Sequence, residues 1–79
     1  MPILYHKPTC PYSQDVLEEA GKIGVELKLL NIKSDPAIAE ELIARGGKRQ
    51  VPYLVDESRG VEMYESTDII EHLKKHYGN

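Results

Sequence analysis

Pro2-Ile3-Leu4-Tyr5-His6-Lys7-Pro8-Thr9-Cys10-Pro11-Tyr12-Ser13 runs from a short apolar strand through a loop into the start of a helix. Ile3 to Tyr5 reads as a buried strand. Pro11 suits the first position of a helix, because its missing N–H is one that a helix N-terminus leaves unpaired anyway. The one cysteine of the chain therefore stands at a helix N-cap, facing free backbone N–H groups and the positive end of the helix dipole. A free thiol, with a pKa of about 8.5, is mostly protonated at neutral pH, and only the thiolate is a nucleophile. Lys7 brings a positive charge to the loop, and Ser13 offers its N–H or hydroxyl to the sulfur. A lowered thiol pKa is expected. Ser13 also stands three residues after Cys10, where a dithiol site has its second cysteine, so this site has one redox atom only.

Outward from this stretch, Val16, Leu17, Ala20 and Ile23 recur at helical spacing until Gly24. Glu26 to Asn31 alternates as a second strand. Ser34-Asp35-Pro36 supplies a cap and a first-turn proline for a helix whose apolar face is Ile38, Leu42 and Ile43, closed by Gly46-Gly47. Val51 to Val55 and Val61 to Tyr64 read as two strands. The connection Asp56-Glu57-Ser58-Arg59-Gly60 between them is hairpin-like, so they should be antiparallel. A last helix begins near Ser66-Thr67-Asp68, with Ile69, Ile70, Leu73 and Tyr77 on its apolar face, Lys74, Lys75 and His76 in its last turn, and Gly78 as its stop. The sum is βαβ, a helix, then ββα, with the first two strands parallel through a right-handed crossover.

The 79 residues bound a single domain, 1–79, able to bury roughly 60 to 65% of its unfolded surface. At 41% hydrophobic residues a modest core needs no staples, and one cysteine allows neither an internal disulfide nor a cysteine metal cluster. A reducing, cytoplasmic setting follows. A net charge of −3 with scattered basic residues argues against nucleic-acid binding. No apolar run approaches the roughly 18 residues of a membrane span, and the first residues carry no basic leader, so neither a membrane anchor nor a signal peptide is expected. His6, His72 and His76 lack partners at ligand or triad spacing and read as structural or surface residues; no metal site is expected.

Two further segments bear on function. A proline opening a strand can mark a sheet edge, but the strand after Val51-Pro52 is needed to pair with the first. A cis Val51-Pro52 bond is therefore expected, with the Val51 backbone turned toward the thiol. Tyr64-Glu65-Ser66-Thr67-Asp68 reads as a helix cap, with Glu71 three after Asp68. Its free N–H groups beside a hydroxyl and a carboxylate also suit a ligand bearing an α-carboxylate and an α-amine.

Cys10-Pro11-Tyr12-Ser13, Val51-Pro52 and Ser66-Thr67-Asp68, in this order and spacing, resemble the glutaredoxin family of the thioredoxin fold over nearly the whole chain. The resemblance implies an α/β, thioredoxin-like four-stranded mixed sheet of order 2-1-3-4 flanked by three helices. It implies glutathione as co-substrate, with Cys10 as the nucleophile and Lys7 and Ser13 as its catalytic neighbours. Lys7 and Tyr12 would line the glutathione site, and the backbone of Val51, before Pro52, would pair with the cysteinyl part. Ser66, Thr67 and Asp68 would hold the γ-glutamyl group. Lys48 or Arg49 would either supply a second cation for the glycine carboxylate or form a solvated basic turn.

The implied activity is a glutathione-dependent thiol–disulfide oxidoreductase, an electron-transport protein working by the monothiol route on glutathionylated or disulfide-containing proteins and small molecules, as a monomer. Ser13 in place of a resolving cysteine excludes the dithiol route, and is either natural or an engineered change. Two other readings stay open. Two chains and two glutathiones would supply the four thiolates of a [2Fe–2S] cluster, although relatives specialised for this have Gly-Phe where Pro11-Tyr12 stands. Glu65-Ser66, where glutaredoxins commonly carry glycine, is similar to the Glu-Ser pair of glutathione transferase N-terminal domains. That similarity implies a glutathione-binding module, which as a free-standing chain would lack the helical second domain of the transferases.

Overall fold

The computed structural model describes residues 1–78. Its elements are β1 (Ile3–His6), α1 (Pro11–Ile23), β2 (Lys28–Asn31), α2 (Pro36–Gly46), β3 (Tyr53–Asp56), a 3-10 turn (Glu57–Arg59), β4 (Val61–Met63) and α3 (Ser66–Tyr77). The sheet order is β2-β1-β3-β4. β1 lies parallel to β2, with Leu4 opposite Leu29, and antiparallel to β3, with Leu4 opposite Leu54. β3 and β4 are antiparallel, Leu54 opposite Met63. This is the thioredoxin-like arrangement expected from the sequence.

Strand side chains alternate between faces, and β1 and β3 use both. Leu4 and Leu54 point to the side covered by α1 and α3, where they join Val16, Ala20, Ile69 and Leu73. Tyr5, Tyr53 and Val55 point to the other side, where Ile32, Ala39 and Leu42 cover them. Leu4, Leu42, Leu54, Ile69 and Leu73 are wholly buried, each burial contributing about 1.5–3 kcal/mol relative to exposure. Both central strands are thus read as nearly continuous apolar runs.

Helix ends follow their residues, with one exception. Asp35 caps α2 by accepting the N–H of Ala37 at 2.9 Å. Gly24 ends α1 with φ 84°, a left-handed value that a side chain would resist. The exception is α3. Its N-cap is Glu65, with φ 65° and no side-chain cap bond. Ser66, Thr67 and Asp68 lie inside the first turn rather than before it, because the left-handed turn at Glu65 lets the helix start one residue early. Gly78 does end this helix, but in an extended conformation (φ −79°).

Strand limits also differ from expectation in each strand, β1 running on to His6 where Tyr5 was the expected end. β2 starts at Lys28 rather than Glu26, and β4 stops at Met63 rather than Tyr64. β3 runs Tyr53–Asp56 rather than 51–55, since Pro52 has no N–H to give to a ladder. The hairpin connection is ordered by its 3-10 turn. His72, read as a structural or surface residue, is structural: it is buried and pairs with Asp56. His6 is also buried, with Nδ1 unpartnered, whereas His76 is exposed and packs its ring on His72. No described helix is long and apolar enough to cross a membrane.

Candidate functional site

Cys10 is the N-cap of α1, with extended backbone (φ −89°, ψ 116°). Its N–H donates to the Lys7 carbonyl at 3.0 Å, and its own carbonyl accepts the N–H of Gln14 at 3.1 Å, the first bond of the helix. The Gln14 side chain folds back onto the Pro8 carbonyl at 2.9 Å and closes the loop. No acidic residue occupies the first turn of α1, so no charge there offsets the positive end of its dipole.

Partial burial of the sulfur works against the anion. The N–H and hydroxyl of Ser13, the N–H of Tyr12 and the charge of Lys7 outweigh it, so the Cys10 thiol sits below its ordinary pKa. Ser13 itself is completely buried, and its Oγ also accepts a long hydrogen bond, 3.4 Å, from the Lys7 N–H. The hydroxyl thus ties the loop to the helix while serving the sulfur. When protonated, Cys10 points its thiol at the Val51 carbonyl, 3.9 Å away. The Val51-Pro52 peptide is cis.

Beside the thiol lies a cleft of about 360 Å³ lined by Tyr12, Gln50, Val51, Pro52, Glu65, Ser66 and Thr67. Five residues singled out from the sequence (Tyr12, Val51, Pro52, Ser66 and Thr67) therefore come together in one place; Cys10 is not part of the lining, and its sulfur reaches the cleft through the Val51 carbonyl. Asp68 is exposed on the first turn of α3, outside the lining. Lys7 is half-buried on the active loop. The Lys48 ammonium rests 4.9 Å from the centre of the Tyr64 ring. Arg49 lines a different hollow, against α2, with Ile32, Pro36 and Ile43.

Gln50 and Glu65 line the cleft and were outside the expected set. Glu65 had a signal in its pairing with Ser66, and Gln50 had only its place before Val51-Pro52. Among the described residues no group of His, Cys, Asp or Glu is arranged to hold a metal ion.

The family described as "Glutathione S-transferase, N-terminal domain" matches residues 4–79. Among solved structures, a delta-class glutathione transferase of Nilaparvata lugens aligns with 31% identity over all of this chain, at a TM-score of 0.83. Glutathione S-transferase unclassified 2 of Bombyx mori aligns with 25% identity over 99% of the chain, at 0.85. Isozyme E7 of Drosophila melanogaster aligns with 25% identity over 100%, at 0.81. The chain spans 37% of the first of these proteins and 36% of the other two. No curated protein matches it.

The structural neighbours named are glutathione transferases, so the resemblance to glutaredoxins narrows to the thioredoxin-like fold the two groups share. The Glu65-Ser66 pair was the better guide: the chain belongs to the family of glutathione S-transferase N-terminal domains.

Proposed function

We propose that this chain is a glutathione-binding domain in which Cys10 carries out thiol–disulfide exchange with glutathione as co-substrate. The observation that carries the reading is the Cys10 thiol, held below its ordinary pKa and 3.9 Å from the carbonyl of Val51, which lines a cleft together with the N-terminus of α3. The family match supports glutathione as the ligand.

In this reading the extended tripeptide pairs with the Val51 backbone. Its γ-glutamyl carboxylate faces the first N–H groups of α3, left uncapped by any side chain, with Ser66, Thr67 and Asp68 around it. Tyr12 and Pro52 wall the cysteinyl part. Arg49 faces the hollow beside α2, so Lys7 and Lys48 are the better-placed cations for the glycine carboxylate.

The cycle needs one protein sulfur. Cys10 thiolate attacks the glutathionyl sulfur of a mixed disulfide, and the bond to the other sulfur breaks with its electron pair, releasing that group as a thiolate. Cys10 is then disulfide-bonded to glutathione. A second glutathione thiolate attacks the glutathione sulfur of this adduct, forming glutathione disulfide and returning Cys10 as a thiolate. Each turn consumes one free glutathione thiolate: the net change converts a mixed disulfide and that thiolate into the substrate thiolate and glutathione disulfide. Ser13 keeps the attacking anion charged and takes no part in bond exchange.

The family match favours a second reading, a glutathione-binding module of the transferase N-terminal type without turnover at Cys10. Intact mass after mixing with glutathione disulfide, then with reduced glutathione, separates the two. A single adduct on Cys10 that reduced glutathione discharges supports exchange. Reversible glutathione binding that survives Cys10→Ser, with no adduct in the parent, supports the module.

A further inference from the structure

We infer that Tyr64 is the positioning residue that holds the two walls of the cleft in register and so sets its affinity for glutathione, an inference that rests on the glutathione-binding reading above. Besides Tyr12 of α1, the cleft is built from two stretches distant in sequence. One is the segment 47–52 between α2 and β3, which belongs to neither helix nor strand; the other is the Glu65–Thr67 start of α3. Tyr64 joins them. Its backbone leads directly into Glu65, and its hydroxyl accepts the N–H of Lys48 at 3.2 Å while donating to the Lys48 carbonyl at 2.9 Å.

Both hydrogen bonds go to the main chain of one residue, so the side chain fixes the course of the segment rather than a rotamer. The ring is itself held. It packs on Tyr53 with centroids 4.4 Å apart, and the Lys48 ammonium covers it at 4.9 Å. Gly46 makes the arrangement possible. A Cβ there would come 2.6 Å from Tyr64 Cζ and 2.8 Å from Cε2, and would also strike the hydroxyl oxygen. Gly46 lies within α2 and has no positive φ, so its missing side chain serves the close approach of Tyr64 and not the backbone.

The hydroxyl and its Lys48 partners are exposed. Water replaces such bonds at little cost to stability, whereas a ligand lying across both walls loses their alignment. Tyr64→Phe is therefore expected to weaken glutathione binding, measured by calorimetry, by about five- to tenfold. The pH midpoint of Cys10 alkylation should stay unchanged, since no Tyr64 group faces the sulfur. Gly46→Ala should weaken binding similarly in the parent and add nothing in a Tyr64→Ala background, because the group it displaces is gone.

Hydrogen exchange reads the tether without any ligand: Tyr64→Phe should speed exchange of the Lys48 amide by about tenfold while leaving α1 unaffected. Unchanged exchange at Lys48, binding within about twofold of the parent, or additive effects of Gly46→Ala and Tyr64→Ala would each overturn the inference. A parent that binds no glutathione would overturn the role in affinity together with the functional reading. Accelerated Lys48 exchange in that case would show that the tether exists but serves another end.

Discussion

The His72 imidazole and the Asp56 carboxylate meet at 2.9 Å inside the protein, tying the last residue of β3 to the buried face of α3. Asp56 is 1% exposed and accepts further hydrogen bonds from the Tyr77 hydroxyl at 3.0 Å and the Ser58 hydroxyl at 2.9 Å. Arg59 approaches the same carboxylate at 3.4 Å and covers the Tyr77 ring. One carboxylate thus joins β3, the 3-10 turn and the C-terminal half of α3, the helix whose other end borders the cleft. Asp56→Asn keeps the size but replaces one acceptor oxygen with an NH2 donor and removes the charge, so the donors that face that oxygen lose their acceptor. A loss of about 3 kcal/mol of stability at neutral pH is expected, read from urea denaturation. A loss within experimental error would show that the network is packing alone.

The same group sets a pH dependence. Desolvation works against the Asp56 anion, but His72, Ser58, Tyr77 and Arg59 together hold its carboxyl below the ordinary value. Because the folded pKa is lowered, the group's contribution is complete above the unfolded value, about 3.9. It disappears as pH falls through the lower folded value. The stability gap between the parent and Asp56→Asn should therefore be constant near neutrality and close only in acid, below pH of about 4. A gap that closed between pH 5 and 7 would place the titration elsewhere.

How much of this was legible in the sequence follows from how local each signal is. Cys10-Pro11 and Asp35-Pro36 are cap-and-proline pairs whose physics is complete within a few residues, and both helices start where they say. The Val51-Pro52 reading needed only the knowledge that the following strand pairs with β1. Asp56 and His72, 16 residues apart, gave no such signal, since their meeting depends on the hairpin turning over and α3 returning across the sheet. Tyr64 was hidden for the same reason: it looks like the end of a strand until the segment after α2 is seen beneath its hydroxyl. At the start of α3 the signal itself misled. Ser66, Thr67 and Asp68 are good cap residues, and only the positive φ of Glu65 takes that place from them.

Ser13 offers a test of what keeps Cys10 anionic. Ser13→Ala removes the hydroxyl donor but keeps the N–H groups of Ser13 and Tyr12 and the charge of Lys7. The pH midpoint of Cys10 alkylation should rise, and the rate at pH 7 should fall by roughly three- to tenfold. Loss of the Lys7 N–H acceptor should also loosen the loop and be visible as faster exchange of that amide. An unchanged midpoint would assign the whole effect to the backbone and the helix dipole.

Two helix starts that look alike in sequence should respond oppositely to alanine. At α2 the Asp35 carboxylate accepts the Ala37 N–H at 2.9 Å, so Asp35→Ala should cost about 1 kcal/mol of stability and leave glutathione binding alone, since Asp35 does not line the cleft. At α3 Ser66 caps nothing and lines the cleft. Ser66→Ala should shift stability by no more than about 0.5 kcal/mol, because an in-helix serine gives way to a better helix former. Its effect should fall on the ligand instead, with glutathione binding weakened by roughly tenfold if the hydroxyl touches the γ-glutamyl carboxylate. Denaturation and calorimetry on the same two variants give the four numbers needed. A Ser66→Ala variant that loses stability but binds normally would mean that the residue is an ordinary cap after all, and that the free N–H groups of α3 face no ligand.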